Sequence, residues 1–165
     1  MIPLMTKSVD PCFSNADQES LYSFLHHPQK VNRLASNPMA IALGTEFLSV
    51  DADKGSITLA FEPEPLFIQG TGVLQGGAQS AMLDFAMAFA TLLALPVGYS
   101  CSTTNLITAF LRPAPKGRYL ATGLVEKQGK QLVFTRAALV REENGCVVAT
   151  GSSTLAVMQP DLGRR

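Results

Sequence analysis

Asp84 is the only Asp, Glu, Lys or Arg in the 47 residues from Pro65 to Leu111. The segment around it calls for burial, and an unpaired buried carboxylate is costly. Two roles fit such a group. It is either a structural Asp held by backbone donors or by hydroxyls such as Thr103 or Thr104, or a catalytic carboxylate whose surroundings tune its reactivity. No Gly-x-Ser-x-Gly sequence offers a serine nucleophile. Gly76 and Gly77 open the same segment. Paired glycines at a helix start serve a tight turn, or they let a ligand approach free backbone N–H groups where the helix dipole favours negative charge. An oxyanion forming on a carbonyl is stabilised by such donors. The run Gly70-Thr-Gly-Val-Leu-Gln-Gly-Gly77 is not a Walker loop, since no Lys-Ser/Thr follows.

The remaining reactive residues point away from metals and cofactors. Cys12, Cys101 and Cys146 form no CxxC and are odd in number, so reduced thiols in a cytoplasmic protein are expected rather than disulfides or a zinc site. His26 and His27, without a ligand cluster, read as surface residues, and no metal is implied. Charge is unevenly placed. Residues 1–111 carry 4 basic and 9 acidic side chains, whereas residues 112–136 carry Arg112, Lys116, Arg118, Lys127, Lys130 and Arg136 against Glu126 alone. Such a basic stretch is either a solvated strand face or a landing site for a phosphorylated small molecule.

The elements that must position these groups follow from periodicity. Gly76–Leu95 reads as one long helix: Ala78, Ala81, Met82, Phe85, Ala88, Phe89 and Leu92 recur at helical spacing, and Met87, Ala90 and Leu93 make other faces apolar. Before it, Asp17–Ala35 is an amphipathic helix capped by Ser14 with Asp17 and broken by Pro28 into two short pieces. Leu43–Val50 and Ser56–Phe61 are strands about the turn Asp51–Gly55. After it come four strands, Ser102–Leu111, Tyr119–Glu126, Leu132–Arg141 and Val147–Val157, the last pair joined through Asn144-Gly145. One apolar helix wrapped by a curved antiparallel sheet buries these faces economically.

At 165 residues with 47% hydrophobic and 16% charged side chains, the chain is expected to fold as one domain with a sizeable core. That excludes a disordered, collagenous or coiled-coil chain. Lys and Arg number 13 against 13 Asp and Glu, so a general nucleic-acid binder is disfavoured. The most apolar run, Phe85–Leu95, has eleven residues, too few for a bilayer span of about 20, and the first residues lack the pattern of a signal peptide. A soluble protein is expected.

Val73-Leu-Gln-Gly-Gly-Ala-Gln-Ser-Ala-Met-Leu-Asp84-Phe-Ala-Met resembles the helix signature of hotdog-fold acyl-CoA thioesterases of the 4-hydroxybenzoyl-CoA and phenylacetate-pathway type. Thr103–Ala114 is similar to the following strand of that family, and Gly129-Lys130-Gln-Leu and Gly145–Gly151 echo its later hairpins. The resemblance runs over roughly residues 40–158. It implies an α+β hotdog fold over 41–158, with an N-terminal helical segment at 1–40 and a tail at 159–165. It further implies Asp84 as the catalytic carboxylate, Gly76 as oxyanion donor, Thr103 as the residue that positions water, and Gln69 near the carboxylate where relatives carry Asn. Gln75 stands where the signature has His; Gln donates and accepts hydrogen bonds but shuttles no proton at neutral pH. Gly77, Arg112, Lys116, Arg118 and Lys130 are the candidate contacts to an acyl-CoA, which is substrate and not cofactor.

The expected activity is acyl-CoA hydrolysis; a non-catalytic acyl-CoA-binding protein is the rival, and a hydratase is disfavoured because no site histidine is near. Gly76 and Asp84 are 8 residues apart, about 12 Å along a helix axis. One chain can hardly bring both to a single carbonyl, but two antiparallel helices across a two-fold axis can. A homodimer, or a tetramer of two dimers, is therefore expected.

Overall fold

The computed structural model describes residues 12–13, 15–30 and 32–160. A short helix α1 (Ala16–His26) and a one-turn helix α2 (Pro38–Ala42) precede the hairpin β1 (Glu46–Asp51) and β2 (Ser56–Phe61). A 3₁₀ turn at Pro65–Phe67 leads into the long helix α3 (Gly76–Ala94). Strands β3 (Ser100–Phe110), β4 (Tyr119–Gln128), β5 (Leu132–Arg141) and β6 (Val147–Met158) complete the chain. Ser14 lies outside the described residues; Asn15 caps α1 by accepting from the Gln18 amide. The helix stops at His26, before Pro28, but the second helical piece starts only at Pro38, where Asn37 caps it and proline suits the first helical position.

All six strands form one antiparallel sheet in the order β1-β2-β4-β5-β6-β3. Although consecutive in sequence, β3 and β4 do not pair. Their connection is pinned to the loop before α3, through Leu74 N–H to Ala114 O at 2.7 Å and a bridge between Val73 and Pro115, so it crosses the end of the helix instead of turning back. Tyr119 Oη donates to Pro115 O and holds the same crossing.

The expected wrapping of the sheet around the helix does not occur. The sheet is open and not strongly curled, with β1 and β3 as free edges, and α3 packs on one face of it. The nearly all-round apolar character of α3 suggested all-round cover. Instead, Met82, Leu83, Ala86, Met87, Phe89 and Ala90 are fully buried, while Ser80, Ala81, Asp84, Phe85 and Ala88 are only half-buried along one stripe. α3 is long and apolar enough to cross a membrane by length and composition, yet these buried side chains make it a core helix. Each such large apolar side chain contributes about 1.5–3 kcal/mol.

Two packing details set where α3 sits. Phe24 of α1 stacks on Phe47 of β1 at 5.0 Å, and Phe47 meets Phe89 of α3 edge-on at 5.1 Å. On β4, a Cβ at Gly123 would stand 2.1 Å from Ala86 O, so the helix backbone rests directly on the strand backbone there.

Candidate active site

The half-buried stripe of α3 runs alongside edge strand β3, and four contacts rung by rung join them. Gly76 lies under the Phe110 ring, whose nearest atom is 3.1 Å from where a Cβ would be. Ser80 Oγ and Thr108 Oγ1 are 3.2 Å apart, Thr103 Oγ1 donates to Asp84 Oδ1 at 2.9 Å, and Cys101 Sγ lies 3.8 Å from Ala88 O. The helix steps by four residues at every rung, its natural repeat along one face. The strand cannot step by two throughout, because Thr108 and Thr103 have opposite parity. A β-bulge solves this: Thr103 pairs with Leu155 and Asn105 with Thr154, leaving Thr104 as the extra residue. Thr103 is thereby turned toward Asp84, and Thr104 bonds Thr154 O instead.

Burial pushes the Asp84 carboxyl above the ordinary 3.8, and the Thr103 hydroxyl pulls it part of the way back. No cation pairs with Asp84 among the described residues. Burial also raises the Cys101 thiol to about 12, with the negative charges of Asp84 and Asp17 adding to the effect. That thiol is protonated at neutral pH and is no nucleophile.

At the N-terminus of α3 the Gly76 and Gly77 amides make no hydrogen bond among the described residues. Their position is fixed from both sides: Gln75 N–H bonds Phe67 O at 2.8 Å, and the neighbouring Leu74 N–H bonds Ala114 O. Gln75 is the N-cap residue, exposed, and its side chain makes no capping bond. A groove of about 460 Å³ opens here, lined by Gln69, Gly76, Gln79, Phe110 and Arg112 among others. A larger hollow of about 520 Å³ lies on the outer face of the sheet, lined by Ile107, Ala109, Leu124 and Ala138, away from Asp84.

The structure thus groups Gln69, Gln75, Gly76, Gly77 and Arg112 at one end of α3, and Asp84 with Thr103 two turns along it. Gln69 makes no bond to Asp84 of the same chain. The basic residues do not converge within the chain. Arg118 is held by Glu46 at 2.9 Å and Glu142 at 3.2 Å, and Arg136 by Glu126 at 3.1 Å. Lys127 and Lys130 flank Gln128, which bonds Ala94 O at the far end of the helix, about 28 Å from its start. Arg112 and Lys116 are exposed at the groove end, with Arg112 Nη1 donating to Val147 O. His26 and His27 are exposed, and no cluster of metal-ligating side chains occurs among the described residues. Sequence reasoning missed Phe110 and Gln79. For Gln79 a signal existed: a lone amide among the apolar positions of the helix.

Comparison with known proteins finds a likeness over the same segment. Residues 71–148, which include α3, Asp84 and β3, match the model of the thioesterase superfamily. The matched segment is 78 of the 165 residues, and it says what the chain resembles. A phenylacetic acid degradation-related protein from Ralstonia eutropha is 29% identical, with a TM-score of 0.71 over 83% of this chain and 98% of that one. A thioesterase from Haemophilus influenzae is 22% identical with a TM-score of 0.73, covering 83% of this chain and 94% of its own. The PaaI protein of the Escherichia coli phenylacetic acid degradation operon is 22% identical with a TM-score of 0.69, covering 87% and 96%. The last two share the fold. No curated protein matches the sequence.

Proposed function

We propose that this chain is a member of the thioesterase superfamily and hydrolyses an acyl-CoA thioester. The observation that carries the reading is the pairing, on one helix, of a half-buried carboxylate lacking a cation, Asp84, with unpaired N-terminal amides at Gly76 and Gly77. Water attacks the thioester carbonyl as Asp84 takes its proton, and the carbonyl oxygen becomes an oxyanion bonded to Gly76 N–H. The carbon–sulfur bond then breaks, and the proton passes to the departing thiolate. Thr103, bonded to Asp84 Oδ1, leaves Oδ2 for the water. Attack by Asp84 itself, through an anhydride that water then opens, uses the same groups.

The two parts of this machinery are about 12 Å apart along α3, so a complete site takes Asp84 from one copy and Gly76 from another. Two features support a two-fold partner. β3 is an edge strand of 11 residues without a charged side chain, the kind of edge that pairs unless protected. The stripe Ser80, Ala81, Asp84, Phe85 and Ala88 beside it is left half-covered. Arg112 and Lys116 at the groove mouth, and Lys130 from the other end, are the proposed phosphate contacts.

Release of free thiol from a panel of acyl-CoAs tests the proposal. Asp84→Asn is expected to lower turnover by at least about a hundredfold. Binding without thiol release by the native protein favours the non-catalytic acyl-CoA binder, and undiminished turnover by the variant removes Asp84 from the chemistry.

A further inference from the structure

The groove beside Gly76 is lined by a residue with a buried polar atom for which the hydrolytic reaction gives no use. Gln79 lines this groove and is only 5% exposed. Its Nε2 donates to Leu74 O at 3.3 Å, while Oε1 is buried and accepts from nothing among the described residues. Reversing the amide would set Oε1 against the Leu74 carbonyl oxygen, two acceptors face to face, so the orientation is determined. A buried carbonyl oxygen without a donor is costly to keep, and such exceptions call for an explanation. The neighbouring groups cannot relieve it: the Gly76 and Gly77 amides point out of the helix end, and Arg112 is engaged with Val147 O.

We infer that Gln79 Oε1 accepts the amide N–H of the substrate's thiol half, which makes the site selective for thioesters of a β-mercaptoethylamide, the unit in which coenzyme A ends. The inference rests on the thioester reading above. A carbonyl held at Gly76 N–H leaves its sulfur in the groove. Gln79 stands three residues further on, and its amide, bonded to Leu74 O, is turned back toward the helix start where the thioester oxygen is held. In a β-mercaptoethylamide only two methylenes separate the sulfur from the N–H, short enough for both ends to lie at that helix start. The donors at the helix end take the thioester oxygen and the unpartnered Gln79 oxygen takes the arm, so a single substrate satisfies both.

A matched pair of substrates tests this. The N-acetylcysteamine thioester and the thioester of 2-mercaptoethyl acetate are the same shape, with the N–H of one replaced by oxygen in the other. The native protein is expected to prefer the amide by about tenfold in kcat/KM, the worth of one net hydrogen bond at the upper end of its range. Gln79→Met, of similar volume, is expected to reduce that preference to about twofold or less. Gln79→Ser, which brings no acceptor to that reach, is expected to lose the preference as well and covers the case in which the Met variant fails to fold. A native protein indifferent to the exchange, or a preference unchanged in Gln79→Met, overturns the assignment. The same pair as S-alkyl thioethers, measured by titration calorimetry, reads the preference without turnover. Absence of hydrolysis with an intact N–H preference in binding therefore strikes the proposed reaction and leaves Gln79 its role, whereas hydrolysis without the preference does the reverse.

Discussion

Thr103 donates to Asp84 across 2.9 Å only because a single extra residue, Thr104, is inserted between Thr103 and Asn105 of β3. The hydroxyl opposes the burial that raises the Asp84 carboxyl, and so it adjusts the pH at which the carboxylate is available. Four consequences can be measured.

Replacing Thr103 by Val keeps the volume and removes the donor. The Asp84 carboxyl then rises further, because only burial acts on it. A base works ionised, so activity is lost as pH falls through its pKa, and the acid limb of the kcat/KM profile is expected to move to higher pH. A limb that stays in place while kcat falls assigns Thr103 to the water instead of the carboxylate.

Asp84→Asn is expected to raise the melting temperature at neutral pH. The sign follows from linkage: a carboxyl whose folded value lies above the unfolded 3.8 holds more protons folded than unfolded, so stability declines as pH rises from 3.8 through the folded value. Asn avoids that decline. The advantage of the variant therefore shrinks as pH is lowered and is gone below 3.8, which thermal unfolding at several pH values will show. An advantage equal at all pH values would assign it to packing instead.

Charge reversal at Arg112 is expected to raise KM for an acyl-CoA by about tenfold with a smaller change in kcat, the loss of one charge-assisted contact. A short acyl thioester without the nucleotide should be affected much less. Equal losses on both substrates would sink the phosphate assignment for Arg112.

Subunit mixing tests the shared site. Asp84→Asn and Gly76→Pro homodimers are each expected to be nearly inactive, and a mixed dimer to recover one of its two sites. Proline is tolerated at a first helical position, and the ring it would press against, Phe110, is half exposed and able to rotate away. If both variants fold and exchange yet no activity returns, the two groups act within one chain or not at all.

Much of this arrangement is legible in the sequence where a residue's own type dictates the outcome. The isolation of Asp84, the glycines before it and the strand spans from Tyr119 onward come directly from periodicity and turn chemistry. What escapes is whatever depends on contacts distant in sequence. Nothing local tells that Pro113–Gly117 crosses the helix end, because its anchor is the Leu74 amide some forty residues upstream. The identity of the hydroxyl at Asp84, Thr103 or Thr104, rests on the bulge, and a bulge is a property of the pairing with β6. The apolar girth of α3 likewise misleads about cover, since the half-open stripe is visible only once the sheet is in place.

Gly123 has an influence out of proportion to its position. It touches neither Asp84 nor Gly76, yet with no side chain between β4 and Ala86 O it sets the height of the helix above the sheet, as a shim sets the clearance of a moving part. Every rung from Phe110 to Cys101 inherits that height. A single methyl added there meets only helix backbone, which no side-chain change can trim, so it would shift the proposed catalytic groups without altering one of their atoms, and loss of activity at Gly123 would be a fault of alignment.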